Sequence, residues 1–225
     1  VSLSGGIIDG GNTTGRNGLA FNGCARVLVD HMTLRNFGNK ATRVNGSDII
    51  AFDAGGTPCI VAYSTINGGA ARGIWTKGAQ AGFIFTDNTA SNVNMDGIDI
   101  DAFTTNSIVK FNITNGSVRT GIFVEESAKH NQVIGNTCNF NSLAINVQST
   151  VAGPTSFNSI VANSCDSNTN RGIRLGAATL LATEHNFLFN NKITNTIGAA
   201  IDSQGLGSEN YWSQHYTLGN TSSIG

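Results

Sequence analysis

The stretch GIDIDA at residues 97–102 returns at 121–126 as GIFVEE: a glycine, an isoleucine, then apolar and polar side chains in alternation. Alternation of period two marks a β-strand, and a strand that returns after a fixed interval marks a solenoid, in which each coil repeats the last. Working outward, GLAFNG (18–23), ATRVNG (41–46), GIWTKG (73–78), AINVQS (144–149), GIRLGA (172–177) and AIDSQG (200–205) carry the same pattern, 23 to 32 residues apart. Each phrase predicts one strand of one coil, about eight coils in all. The alternation sends Ile74, Ile98, Ile122, Ile145, Ile173 and Ile201 inward and the residues after them outward.

A second register agrees with the first. Leu34, Ile66, Ala90, Thr114, Cys138, Cys165, Ile193 and Leu218 are predicted to stack as an interior ladder. Two positions earlier, Asn88, Asn112, Asn136, Asn163 and Asn191 keep step, and amides stacked at a turn satisfy one another's donors and acceptors. Helical periodicity is nearly absent, and where a sandwich would join antiparallel strands by hairpin turns of the Asn-Gly type, here the same motif position returns at a solenoid's period. The fold predicted is all-β: one right-handed parallel β-helix over 1–225. No capping helix or extra strand precedes Val1, so the chain reads as one that lacks its N-terminal cap.

Composition narrows the function. Lys and Arg number 13 against 14 Asp and Glu, a formal charge of −1, so there is no field to gather nucleic acid or an anionic membrane. No apolar run approaches the roughly 20 residues of a membrane helix. Sequons at Asn12, Asn45, Asn112, Asn115 and Asn220 and the four cysteines fit a secreted, extracellular protein. Cys138 and Cys165 fall about 5 Å apart on neighbouring coils, inside disulfide range, and are read either as bonded or as stacked thiols. His31, His130, His185 and His215 share no register and no CxxC occurs, so no zinc or other metal centre and no cofactor is predicted. Carboxylates on adjacent coils leave calcium open.

GIIDGGN (6–12) followed by FNGCARVLVDHMTLRN (21–36), with DGIDIDAFTTNS (96–107) and GIFVEESAKHN (121–131), resembles pectin-degrading β-helix enzymes of the pectate lyase and polygalacturonase superfamily over nearly the whole chain. The resemblance implies the fold and a carbohydrate-active protein, not one activity. NMDGIDI (94–100) is similar to the Asn-Thr-Asp-Gly strand of polygalacturonases and NRGIRLG (170–176) to their Arg-Ile-Lys strand. Where that family has a second Asp one coil on, this chain has Arg119 and Thr120, and where it has Gly-His-Gly, Ser142, Leu143 and Ala144. Those departures point away from polygalacturonase chemistry itself.

Two outward columns follow from the register. The first runs Ala20, Arg43, Trp75, Asp99, Phe123, Asn146, Arg174, Asp202; the second Asn22, Asn45, Lys77, Asp101, Glu125, Gln148, Gly176, Gln204. Asp99, Asp101 and Glu125 gather at their centre with Asp96 at the leading edge. Strand geometry sets Asp99 and Asp101 about 6.7 Å apart and Asp101 and Glu125 about 5 Å apart, separations that bracket the carboxylate pairs of glycoside hydrolases. These three are the catalytic candidates. Trp75 and Phe123 offer ring faces for sugars, and Arg43, Lys77, Asp96, Asn146 and Arg174 the polar contacts of a polysaccharide or oligosaccharide groove. Arg72, Arg119 and Arg171 are read as salt-bridge or turn residues. The leading expectation is a glycoside hydrolase or transglycosylase. The alternatives are a uronate lyase with a Lys or Arg base and calcium on the acidic cluster, and a non-catalytic glycan-binding β-helix.

Overall fold

The computed structural model describes residues 1–13, 15, 17–38, 47–53, 58–149, 153–176, 183–203 and 209–224. Every strand pairing among them is parallel, none of them is helical, and the chain winds as a right-handed parallel β-helix of about eight coils. A middle coil contributes three strands, Asp96–Ile100, Ile108–Lys110 and Ile113–Asn115, stacked on Thr120–Glu125, Gln132–Ile134 and Thr137–Asn139 of the next. The first strands form a nine-stranded sheet. The second and third join in a sixteen-stranded sheet through the continuous strand Val27–Phe37.

The core is a stack of ladders. Ile74, Ile98, Ile122, Ile145, Ile173 and Ile201 lie in register and are buried, as their alternation requires. Leu34, Ile66, Ala90, Thr114, Cys138, Cys165 and Ile193 form the second ladder with no exposed surface. Its expected last member, Leu218, is displaced by one: Thr217 pairs with Ile193, and Leu218 faces outward. Cys138 and Cys165 pair directly, and all four cysteines are free thiols.

The asparagine ladder explains the corners. The residues before the ladder positions, Asp87, Phe111, Gly135, Ala162 and Asn190, have φ between 52° and 64°, a conformation costing about 1 kcal/mol for a side chain other than glycine. Hydrogen bonds offset that cost. Asn112 donates its backbone N–H and its amide to Asn136 Oδ1, at 2.9 and 3.0 Å, and its amide also to the Phe85 carbonyl at 2.9 Å. Asn136 repeats this on Asn163, and Asn163 on Asn191. A second ladder of Asn131, Asn158, Asn186 and Asn210 does the same at another corner. Asn112 is buried within this network, so its sequon is not a glycosylation site in the folded chain.

One coil was misplaced by the sequence reading. ATRVNG, with Arg43 and Asn45, lies outside the described residues, and the strand of that coil is Ile50–Asp53, paired with both Leu19–Asn22 and Ile74–Lys77. Ala51 and Asp53 therefore hold the places given to Arg43 and Asn45 in the two columns. Ile50 and Phe52 supply large inward side chains, whereas ATRVNG offered only a short imitation of the alternation.

Candidate active site

The strands Asp96–Ile100 and Thr120–Glu125 carry the acidic cluster on the nine-stranded sheet. Ile98 and Ile100 anchor one strand in the core, Ile122 and Val124 the other. Asp99, Asp101, Phe123 and Glu125 are thereby turned away from the core. Asp99 is flanked in register by Trp75 and Phe123, and beyond Phe123 stand Asn146, Arg174 and Asp202.

The cluster is tighter and drier than strand geometry predicted. One carboxylate oxygen from each of Asp99, Asp101 and Glu125 lies within 4.8 Å of the other two. Asp96 and Asp99 have no exposed surface, and Asp101 and Glu125 retain 6% and 7%. Two arginines make the difference. Arg72 Nε reaches Asp99 Oδ2 at 2.5 Å while its Nη1 sits 3.5 Å from Asp48. Arg119 Nε donates to both Asp96 oxygens, at 2.8 and 3.0 Å, and its Nη2 lies 3.5 Å from Asp99 and 3.7 Å from Glu125. Their guanidinium groups also lie over Trp75 and Phe123, 4.4 and 4.6 Å from the ring centroids, within cation–π range.

Charge does not balance here. Among the described residues, the cations paired with the group of Asp48, Asp96, Asp99, Asp101 and Glu125 are Arg72 and Arg119 alone, and Asp99 Oδ1 has no hydrogen-bond partner among them. Protons make up part of the deficit. Burial, then the charge of Glu125, drives Asp99 well above the usual carboxylate range. Burial pushes Glu125 up to about 8, against the pull of Arg119 and with a further push from Asp101. Burial likewise raises Asp48 despite Arg72, and burial and Asp101 raise Glu126. Asp101 instead has fixed donors: Trp75 Nε1 at 2.9 Å and the Ala102 N–H at 2.6 Å, while Thr76 Oγ1 accepts its backbone N–H.

The other expected residues take different roles. The Phe123 ring is 2% exposed beneath Arg119, so it does not present the open sugar platform expected of it. Trp75 is half-buried and holds Asp101, with Lys77 Nζ 5.4 Å from its ring. Asp96 is sealed under Arg119 rather than lining a groove. Asn146, 2% exposed, accepts from Arg174 Nε at 3.1 Å, and Arg174 also donates to Gln148. Arg171 pairs with Asp202. Sequence reading missed Asp48 and Thr76. SDIIAFD (47–53) echoes MDGIDID (95–101), and with the second coil placed on it, Asp48 joins the acidic group.

A family model described as "Periplasmic copper-binding protein (NosD)" matches residues 7–223. The chain belongs to the NosD family. No curated protein matches the sequence. Among solved structures, this NosD-family chain is similar to the periplasmic alginate epimerase AlgG, at 16% identity and a TM-score of 0.67 over 82% of this chain and 43% of AlgG. It is also similar to the Azotobacter vinelandii mannuronan C-5 epimerase AlgE4 A-module, at 14% identity and a TM-score of 0.66 over 97% of this chain and 67% of that one. Pectate lyase Pel9A matches at 12% identity and a TM-score of 0.68 over 100% of this chain and 68% of that one. At such identities the likeness is one of fold, and the chain spans less than half of AlgG.

The family's name raises the question of copper. Among the described residues, the one group of three or more His, Cys, Asp or Glu side chains close enough to share an ion is Asp99, Asp101 and Glu125. Its donors are all carboxylate oxygens, which suit hard cations such as calcium or manganese, whereas copper favours imidazole, thiolate and thioether ligands. The residues present do not fit copper.

Proposed function

We propose that this NosD-family chain is an enzyme that acts on a polysaccharide outside the cytoplasm and cleaves it by proton transfer at the Asp99, Asp101 and Glu125 cluster. The observation that carries this reading is a proton held inside the cluster: Glu125, raised to about 8, is protonated at neutral pH, and Asp101, its neighbour, is positioned by two N–H donors. One oxygen from each residue within 4.8 Å of the others places the carboxyls close enough for two of them to act on one glycosidic bond. Glu125 protonates the glycosidic oxygen, Asp101 is the nucleophile or base, and Asp99 supports both through the shared charge. The solved neighbours, an alginate epimerase, a mannuronan C-5 epimerase and a pectate lyase, support a glycan substrate, and the family's description as periplasmic supports a periplasmic setting.

The all-oxygen triad favours a second reading. A hard divalent cation held there would neutralise a uronate carboxylate, and Lys77 or Arg174 would serve as base for removal of the adjacent proton, as in a lyase. Screening wild type, Asp101→Asn and Glu125→Gln on alginate, pectate and neutral glycans decides between them. New reducing ends without ultraviolet absorbance, reduced at least a hundredfold in both variants, support hydrolysis. Absorbance from an unsaturated uronate, lost in chelator and restored by calcium, supports the lyase. Full activity in both variants would overturn the site.

A further inference from the structure

We propose a second, non-catalytic site for a pyranose unit of a polysaccharide, on the sixteen-stranded sheet and apart from the acidic cluster on the nine-stranded one. It does not depend on the chemistry assigned to that cluster. The strands Ser164–Asp166, Lys192–Thr194 and Tyr216–Leu218 lie side by side, and between their outward side chains is a depression of about 400 Å³. That volume suits one or two sugar rings.

The lining has the three elements of sugar recognition. Tyr216 is 55% exposed and Leu218 59% exposed, an apolar wall of the kind a pyranose ring packs against. Asp166 is a fixed acceptor: Thr194 Oγ1, Asn195 Nδ2 at 2.9 Å and Ser167 Oγ at 2.9 Å all donate to it, and these bonds, led by that of Thr194, hold its carboxyl below the usual range. Lys192, exposed on the middle strand, is a mobile donor for a hydroxyl or a uronate carboxylate. Because Asp166 is held by its neighbours, its position costs no further ordering when a sugar arrives.

The same face leads a chain to this depression. Outward residues one coil apart along it are Thr33, Thr65, Thr89, Ile113, Thr137 and Ser164, all in register with Lys192. Apart from Ile113 they present a hydroxyl every ~4.8 Å. A polysaccharide laid along the helix axis meets a hydrogen-bonding group at every coil but that of Ile113 and ends against Tyr216.

Isothermal titration of oligomannuronate, oligogalacturonate and a neutral gluco-oligosaccharide tests this, using the Asp101→Asn, Glu125→Gln chain to prevent turnover. Binding of at least one probe is expected to persist there. Tyr216→Ala and Lys192→Gln, both exposed and outward, are expected to weaken it about tenfold without changing turnover of a short soluble substrate by the otherwise wild-type chain. Loss on Lys192→Gln only with the uronate probes identifies a carboxylate contact; equal loss with the neutral one identifies hydroxyls. Unchanged affinity in Tyr216→Ala and Lys192→Gln, or turnover with no binding outside the acidic cluster, would overturn the second site. Binding that depends on Tyr216 without turnover of any glycan would leave this site standing and sink the catalytic reading instead.

Discussion

Replacing Glu125 by glutamine should make the protein more stable at high pH while removing the proposed cleavage. The carboxyl of Glu125 moves from 4.5 to about 8 on folding, with burial the largest cause. Between those values the folded chain holds a proton that the unfolded chain has released, so stability falls as pH rises from about 4.5 through about 8. The full shift corresponds to on the order of 5 kcal/mol, an upper bound because Asp99, raised by the same surroundings, shares the titration. Glutamine keeps the neutral shape and cannot ionise. About 2 kcal/mol is therefore expected to separate variant from wild type at pH 9 and little at pH 5, or about 4 to 8 °C in melting temperature for a domain of this size. Melting followed by circular dichroism at pH 5, 7 and 9 measures the difference. Parallel profiles for the two proteins would refute the reasoning, because they would mean that Glu125 carries no proton on folding.

Two further perturbations probe the supports of the site and of the coils. Arg72→Gln leaves Asp99 and Asp48 without the cation they share and should cost about 3–5 kcal/mol, with part recovered by adding Asp99→Asn; urea denaturation reads both. Asn136→Ala removes a ladder amide that accepts from Asn112 and donates to Asn163 and the Val109 carbonyl. It should cost about 2–3 kcal/mol through the buried groups left unpaired, whereas Gln132→Ala, on an exposed outward position, should stay within ~0.5 kcal/mol.

Much of this was legible in the chain because a solenoid writes its tertiary contacts as a local period. The Ile and Asn ladders could be read by counting, since side chains stacked across coils recur at the same place in each phrase. Counting failed where the period changed. The second coil was set on ATRVNG instead of IAFD (50–53) because an irregular interval lets a weaker alternation fit, and Leu218 slipped by one residue, which in a strand reverses the face.

By itself the sequence determined the coils, the inward ladders and the gathering of Asp99, Asp101 and Glu125 on one face, because a repeat of apolar and polar residues is also a set of axial coordinates. Only the tertiary structure decided that these carboxyls converge to within 4.8 Å and lie beneath Arg72 and Arg119. Side-chain reach and the pairing of charges across coils depend on rotamers and long-range packing, and burial, not residue type, makes Glu125 an acid that keeps its proton near neutral pH.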